Sequence, residues 1–168
     1  TVCIRENNSY EVIKLTTELV VQYVAVAAAL IALFIDYKGM KPFLPVALFA
    51  SLYANVFCYI ANYFGWWEFP VRLMPHVKDI SFAANVITIP ILAMFWIRYS
   101  PIPRIHWALL WSVILTGFEY WAVKNTAMIA YGNGYVIYYS FVLWLISWYI
   151  WYKFYHWYIG EPVPKNKS

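Results

Sequence analysis

Charged positions divide the chain into five long apolar stretches. Leu19–Ile35, Phe43–Trp67, Ile80–Ile97, Ile105–Phe118 and Asn125–Tyr152 carry no formal charge. The fourth runs on past Glu119 to Val123, and the helical part of the fifth starts at Tyr135. A membrane-crossing helix needs about 20 mostly apolar residues, with a working range of about 17–25. The pattern predicts an all-α, polytopic integral membrane protein: a five-helix bundle with spans near 15–36, 43–66, 80–98, 105–123 and 135–157. In lipid every backbone polar group must be satisfied within its own segment, so these runs are expected to be helices. The alternating strands of a membrane barrel are missing.

Punctuation residues agree with the runs. Polar turns fall at Asp36–Pro42, Glu68–Asp79, Arg98–Arg104 and Lys124–Gly134. Pro42 and Pro45 open the second helix, Pro101 and Pro103 stiffen the third turn, and Gly132 and Gly134 precede the fifth helix. Pro90 lies inside the third helix, where it is expected to make a kink and free a carbonyl. No internal repeat is visible, and an odd helix count does not suit an inverted-repeat transporter. The 168 residues read as one transmembrane domain.

Composition sharpens the class. The chain is 64% hydrophobic and 12% charged, against about 25% charge in soluble domains. This excludes an ordinary soluble enzyme and a disordered tail. Two cysteines, Cys3 and Cys58, make no disulfide framework. The net charge of +4 comes from residues scattered between apolar blocks, so nucleic acid is not expected as a partner. Thr1–Glu18 is too polar for a cleaved signal peptide, so the chain is expected to insert through its own helices.

With five spans the termini face opposite sides. Arg5, Lys14, Arg72, Lys78 and Lys124 fall on the N-terminal side. Lys38, Lys41, Arg98, Arg104, Lys153, Lys165 and Lys167 fall on the other. The basic excess places the C-terminus in the cytoplasm and the N-terminus outside a cell membrane. Trp66, Trp67 and Phe69, then Trp107 and Trp111, then the Trp148–Tyr158 stretch, are expected as interfacial belts.

Polar residues inside spans usually face protein or water. Gln22, Asn62, Asn85, Glu119, Tyr139 and Ser140 each sit about one turn below the outer interface, and together they define a polar layer contributed by five helices. Helical spacing groups Asn55, Tyr59 and Asn62, then Ser112, Thr116 and Glu119, then Ser140, Trp144 and Ser147, into stripes. Such stripes serve equally for interhelical hydrogen bonds or for a pocket. Glu119 differs because a carboxylate in a span needs a partner, and Arg72, Lys78 and Lys124 are the candidates. The Trp67–Asp79 loop, held by two prolines, is expected to roof the layer, with Trp67 and Arg72 over it.

Catalytic and cofactor signals are sparse. His76 and Asp79 are too few for a zinc site, and His106 and His156 sit at helix ends, where haem ligation is not expected. No cofactor and no metal are expected. The zinc-protease, serine-elbow, redox-cysteine and phosphate-loop patterns are missing. Ala25, Ala29 and Ala28, Ala32 have small-residue spacing that serves packing within the chain as well as dimerisation.

Several short motifs carry a resemblance. Phe64-Gly65-Trp66-Trp67-Glu68-Phe69-Pro70 with Arg72-Leu73-Met74-Pro75 is similar to a Gly-x-Trp-x-Tyr-Pro-x-Lys-Leu-x-Pro segment. Asn85 with Ile89-Pro90 resembles an acid-x-x-x-Leu-Pro pattern. Gly117-Phe118-Glu119 and Tyr138-Tyr139-Ser140-Phe141 resemble a fourth-helix glutamate and a Tyr-Ser-Phe motif. These belong to a functionally uncharacterised family of small multi-pass membrane proteins, found mainly in spore-forming Gram-positive bacteria. The resemblance covers roughly Ala54–Trp151 and implies the fold without an activity. Asn85 stands where that family has Asp, and Cys58 or Asn62 where it has another acid, leaving Glu119 alone of three.

The leading expectation is a non-enzymatic binding or assembly subunit. Its outer pocket, lined by Gln22, Asn62, Asn85, Glu119, Tyr139 and Ser140, would take a lipid headgroup or small amphiphile. Membrane lipid, and a protein partner or second copy, are the expected contacts. The alternatives are a transporter or channel coupled through Glu119, and an intramembrane lipid-modifying enzyme in which His76 or Asp79 assists Glu119.

Overall fold

The computed structural model describes residues 3–74, 76–77, 80–101 and 104–160, with side chains from Thr17 onward. Cys3, Arg5, Lys14, Pro75, Lys78, Asp79, Pro103, Lys165 and Lys167 therefore lie, wholly or by side chain, outside the described residues. The protein is mostly helical. Five long or medium helical segments follow the five apolar runs. They are α1 (Cys3–Ile35), α3 (Leu44–Tyr63), a π-helical turn (Ala83–Thr88) leading into α4 (Ile89–Tyr99), α5 (Arg104–Asn125) and α6 (Ile137–Ile159). A short α2 (Tyr37–Met40) and a 3-10 turn (Lys41–Phe43) bend the chain between α1 and α3. Among the described residues two stretches, Thr17–Ile35 and Tyr37–Tyr63, are long and apolar enough to cross a membrane.

The helices end within a few residues of the apolar runs except at the start. α1 begins at Cys3, not near residue 15, so the polar N-terminal stretch is also helical. The third run also departs from expectation. Pro90 lacks an N–H, and its ring crowds the carbonyl of Val86 four residues back. The chain absorbs this upstream by widening into a π turn, where the N–H of Ile89 reaches back five residues to the Ala84 carbonyl. Pro90 then occupies the first turn of α4, where no donor is needed. Thr88 Oγ1 donates to the Ala83 carbonyl at 2.9 Å and satisfies one carbonyl of the widened turn.

α3 packs on α4, α5 on α6, and α1 on the π turn and α4, while α6 closes against α3 and α4. The core lies where α3, α4 and α6 meet. Ala50 and Ala93 are fully buried and let the backbones approach around Trp96, Trp148 and Trp151. Trp148 stands 5.1 Å from Trp96 and 5.0 Å from Trp151 by ring centroids, and its Nε1 donates to Ser112 Oγ at 3.1 Å. Trp148 and Trp151 were expected in an interfacial belt. With Trp144 they recur at helical spacing, and that face of α6 turns inward. Tyr149, Trp157 and Tyr158 of the same stretch stay exposed.

At one end, two loops form an antiparallel ribbon. β1 (Trp67–Glu68) pairs with β2 (Ala130–Tyr131), Trp67 opposite Tyr131 and Glu68 opposite Ala130. Gly132 N–H donates to the Trp66 carbonyl at 2.9 Å. A Cβ on Gly132 would come within 2.7 Å of the Gly65 carbonyl oxygen, so this crossing needs glycine. Gly65 itself has φ +65°, a left-handed turn that releases the chain from α3.

Candidate functional site

A cleft of about 170 Å³ opens between α3, the π turn and α6, beneath the ribbon. Most of its lining is aromatic or aliphatic. Tyr53 and Phe57 of α3, Trp67 and Phe69 of the first ribbon loop, and Trp144 and Trp151 of α6 supply the large side chains. The rings touch one another, with Phe57 and Trp67 stacked at 6.5 Å and Trp67 edge-on to Tyr135 at 4.9 Å. The polar groups are Cys58, Asn85, Glu119, Ser140 and Ser147, the Tyr53 and Tyr135 hydroxyls, and the indole N–H groups of Trp67, Trp144 and Trp151.

Two polar centres face this cleft. In the first, the hydroxyls of Tyr131 and Ser140 both donate to Glu119 Oε1, at 2.6 and 2.7 Å. Tyr135 and Ser140 are joined at 2.9 Å. Ser140 has one hydroxyl hydrogen and gives it to Glu119, so Tyr135 must be the donor to Ser140. A chain of donors thus runs Tyr135 to Ser140 to Glu119. Burial, and secondarily the nearby carboxylate, hold the Tyr131 phenol well above its ordinary pKa, so it remains a donor. Oε2 of Glu119 receives no hydrogen bond from the described residues.

The second centre comes from the π turn. Asn85 is buried, and its Nδ2 donates to Cys58 Sγ at 3.1 Å and, more weakly, to Asn55 Oδ1 at 3.4 Å. Asn55 in turn donates to the Ser51 carbonyl at 2.9 Å. A π turn shifts the register of one helical face, and here it presents Asn85 to α3.

The expected polar layer is only partly assembled at the cleft. Asn85, Glu119, Ser140 and Trp67 come together there. Gln22 does not line it. Its amide clamps the loop above, with Nε2 donating to the Val71 carbonyl at 3.1 Å and Oε1 accepting from Leu73 N–H at 3.1 Å. Arg72 also serves the loop, donating to the carbonyls of Phe69 and Val77. Tyr139 points away and is 43% exposed, because it sits one residue (about 100°) from inward-facing Ser140. Asn62 is half-buried on α3, outside the lining. The Asn55 stripe departs too: Tyr59 is exposed, and Cys58 takes the inward position.

Glu119 is not paired with a base among the described residues. Arg72 is committed to its own loop, and Lys124 lies over the Tyr120 ring at 5.9 Å. Lys78 and Asp79 fall outside the described residues. Hydroxyls compensate the carboxylate instead, at lower desolvation cost than a buried ion pair. His76 is exposed and does not line the cleft. His106 is exposed, while His156 packs edge-on against Tyr152 at 4.4 Å near the far end of α6. Among the described residues no cluster of three potential metal ligands occurs.

Sequence reasoning missed Glu18. It is 1% exposed, and its Oε1 accepts the N–H of Ala127. Glu18 and Gln22 are four residues apart on one face of α1, and each clamps one of the two ribbon loops. The signal was that spacing, hidden because Glu18 ended a polar stretch. The loops are also stitched directly, Val71 N–H donating to the Ala127 carbonyl at 3.2 Å. The roof is therefore both loops, not Trp67–Asp79 alone.

No family model matches the chain, and no curated protein or solved structure is significantly similar to it.

Proposed function

We propose that this chain is a five-span membrane protein that binds one amphiphile in the cleft beneath the ribbon, without transforming it. The span count rests on helix lengths and exposed surface. α5 has 22 residues and α6 has 23, or about 33–35 Å at 1.5 Å per residue. Leu109, Leu110, Val113, Ile114 and Phe118 of α5 are exposed, an apolar surface that lipid would cover. The tryptophans and tyrosines of α5 and α6 lower hydropathy while keeping apolar rings suited to the interfaces. In this reading the ribbon and the N-terminus lie outside the cell membrane, and the C-terminus is cytoplasmic.

The binding reading is carried by the contrast inside the cleft: a hydrogen-bonded Glu119–Ser140–Tyr135 relay at its ribbon end, and aromatic walls running toward Trp151. Such a gradient suits a molecule with a polar head and an apolar body. Protein partners or a second copy would meet the exposed helix faces. Native mass spectrometry of the protein released from nanodiscs should find a retained lipid-sized adduct. The adduct should be lost in Trp144→Ala. A bare chain, together with unchanged tryptophan fluorescence on adding brominated lipid, would remove the reading.

A second reading has one specific support. Asn85, Asn55 and Ser51 form a polar file, and Ser51 lines a separate groove of about 450 Å³ between α1, α3 and α4. A transporter or channel coupled through Glu119 would use such a file. Liposome flux that is unchanged in Glu119→Gln would exclude it.

A further inference from the structure

Aromatic walls and a single acid point to a particular head group. Among the described residues no Lys, Arg or His lines the cleft, and Glu119 is its only formal charge. Its Oε1 is taken by two hydroxyls, while Oε2 receives no hydrogen bond from the described residues. Close by, Trp67 and Tyr135 meet edge to face at 4.9 Å and Phe57 stacks on Trp67 at 6.5 Å. The faces of such rings are electron-rich and attract cations, most strongly where water is excluded. An anionic head would meet a like charge and no compensating cation, which costs binding energy in a site of low polarity. A neutral sugar head would find the Asn85 amide and the Ser140, Tyr135 and Ser147 hydroxyls already hydrogen-bonded within the protein.

On the amphiphile-binding reading above, we infer that the head recognised by the cleft is a cationic ammonium, primary or quaternary, placed between Glu119 and the Trp67–Tyr135 corner. The donor relay then has a purpose beyond stability. By occupying Oε1, Tyr131 and Ser140 orient the carboxylate and leave Oε2 for the incoming charge. The apolar body of the ligand runs along Trp144 toward Trp151.

The test uses the full chain in nanodiscs of neutral glycolipid with three probes of equal chain length: hexadecyltrimethylammonium, hexadecyl maltoside and hexadecyl phosphate. Binding is read from tryptophan fluorescence and counted by native mass spectrometry. The wild type should bind the ammonium probe about ten- to hundredfold more tightly than the maltoside. Glu119→Gln keeps an acceptor for Tyr131 and Ser140. It should erase that preference, bringing the ammonium probe down toward the affinity of the maltoside for the same variant. Trp67→Leu keeps apolar contact but removes the ring. It should weaken the ammonium probe about two- to thirtyfold and tests the same claim if Glu119→Gln does not fold. Equal or tighter wild-type binding of the maltoside or the phosphate overturns the inference but leaves the cleft a binding site. Failure of all three probes removes the binding reading itself.

Discussion

The two ends of the bundle are held by different forces. At the ribbon end, backbone and side-chain hydrogen bonds join residues far apart in the chain: Glu18 to Ala127, Gln22 to Val71 and Leu73, Trp66 to Gly132. Toward the opposite end, Trp96, Trp148 and Trp151 pack against small residues of α3 and α4. One ion pair, Asp36 with Arg98 at 2.6 Å, ties α4 to the turn after α1. The first kind of joint is directional and positions groups. The second is non-directional and holds the helices by close van der Waals packing. A candidate site needs the first, and it sits beneath it.

Substitutions can break this comparison, beginning with the largest effect. Trp148→Ala empties a fully buried site and strands the Ser112 hydroxyl, and should cost about 3–5 kcal/mol. The measurement is thermal or denaturant unfolding in a mild detergent, and the loss should be global. Glu18→Ala leaves the Ala127 N–H without its acceptor and should cost about 1–3 kcal/mol. Hydrogen exchange should accelerate over residues 126–131 and leave the Trp148 region protected. If both regions loosen equally, the ends are not separable.

Gly132→Ala pushes a methyl toward the Gly65 carbonyl and should cost about 1–3 kcal/mol. Its signature is loss of ribbon protection together with weaker ligand retention in the cleft. A smaller effect is expected at alkaline pH. The folded-state pKa of Tyr131 lies above that of an unfolded tyrosine, so the folded state holds its proton longer. Stability from this group is complete below about pH 10 and falls as pH rises beyond it. Tyr131→Phe should flatten that alkaline decline in melting temperature.

The least effect belongs to the ion pair. Asp36 and Arg98 keep about a quarter of their side-chain surface exposed, and Arg98→Ala should cost about 0–1 kcal/mol, less in high salt. Gly39 sharpens the point. A Cβ there would overlap the Arg98 guanidinium, so Gly39→Ala should displace Arg98. Unfolding midpoints of Gly39→Ala and Arg98→Ala that both stay close to the wild type would show that packing, not charge, holds this end.

Helix positions were legible because the signal is local. Charged residues punctuate the chain, and the helical bounds follow them at Ile35, Tyr99 and Asn125, while α3 ends at Tyr63 ahead of the Gly65 turn. The membership of the polar layer was half legible. Asn85, Glu119 and Ser140 face the cleft as their spacing suggested, but Tyr139 and Asn62 do not line it. Depth in a helix can be counted from its ends. The direction a side chain faces depends on which neighbour the helix leans against. The π turn before Pro90 shows the same limit: the proline announced a disturbance, but not that the chain would widen upstream.

What the sequence determined by itself is the set of helices, their order, and the scarcity of charge that makes Glu119 conspicuous. These follow from the cost of taking charges and unpaired backbone groups out of water. Only the tertiary structure decided what compensates that carboxylate. The partners are hydroxyls at Tyr131 and Ser140, not Arg72 or Lys124. That choice requires two loops to pair and α6 to turn Ser140 inward. Those are long-range contacts, whose energies depend on the whole packing and leave no periodic trace in the chain.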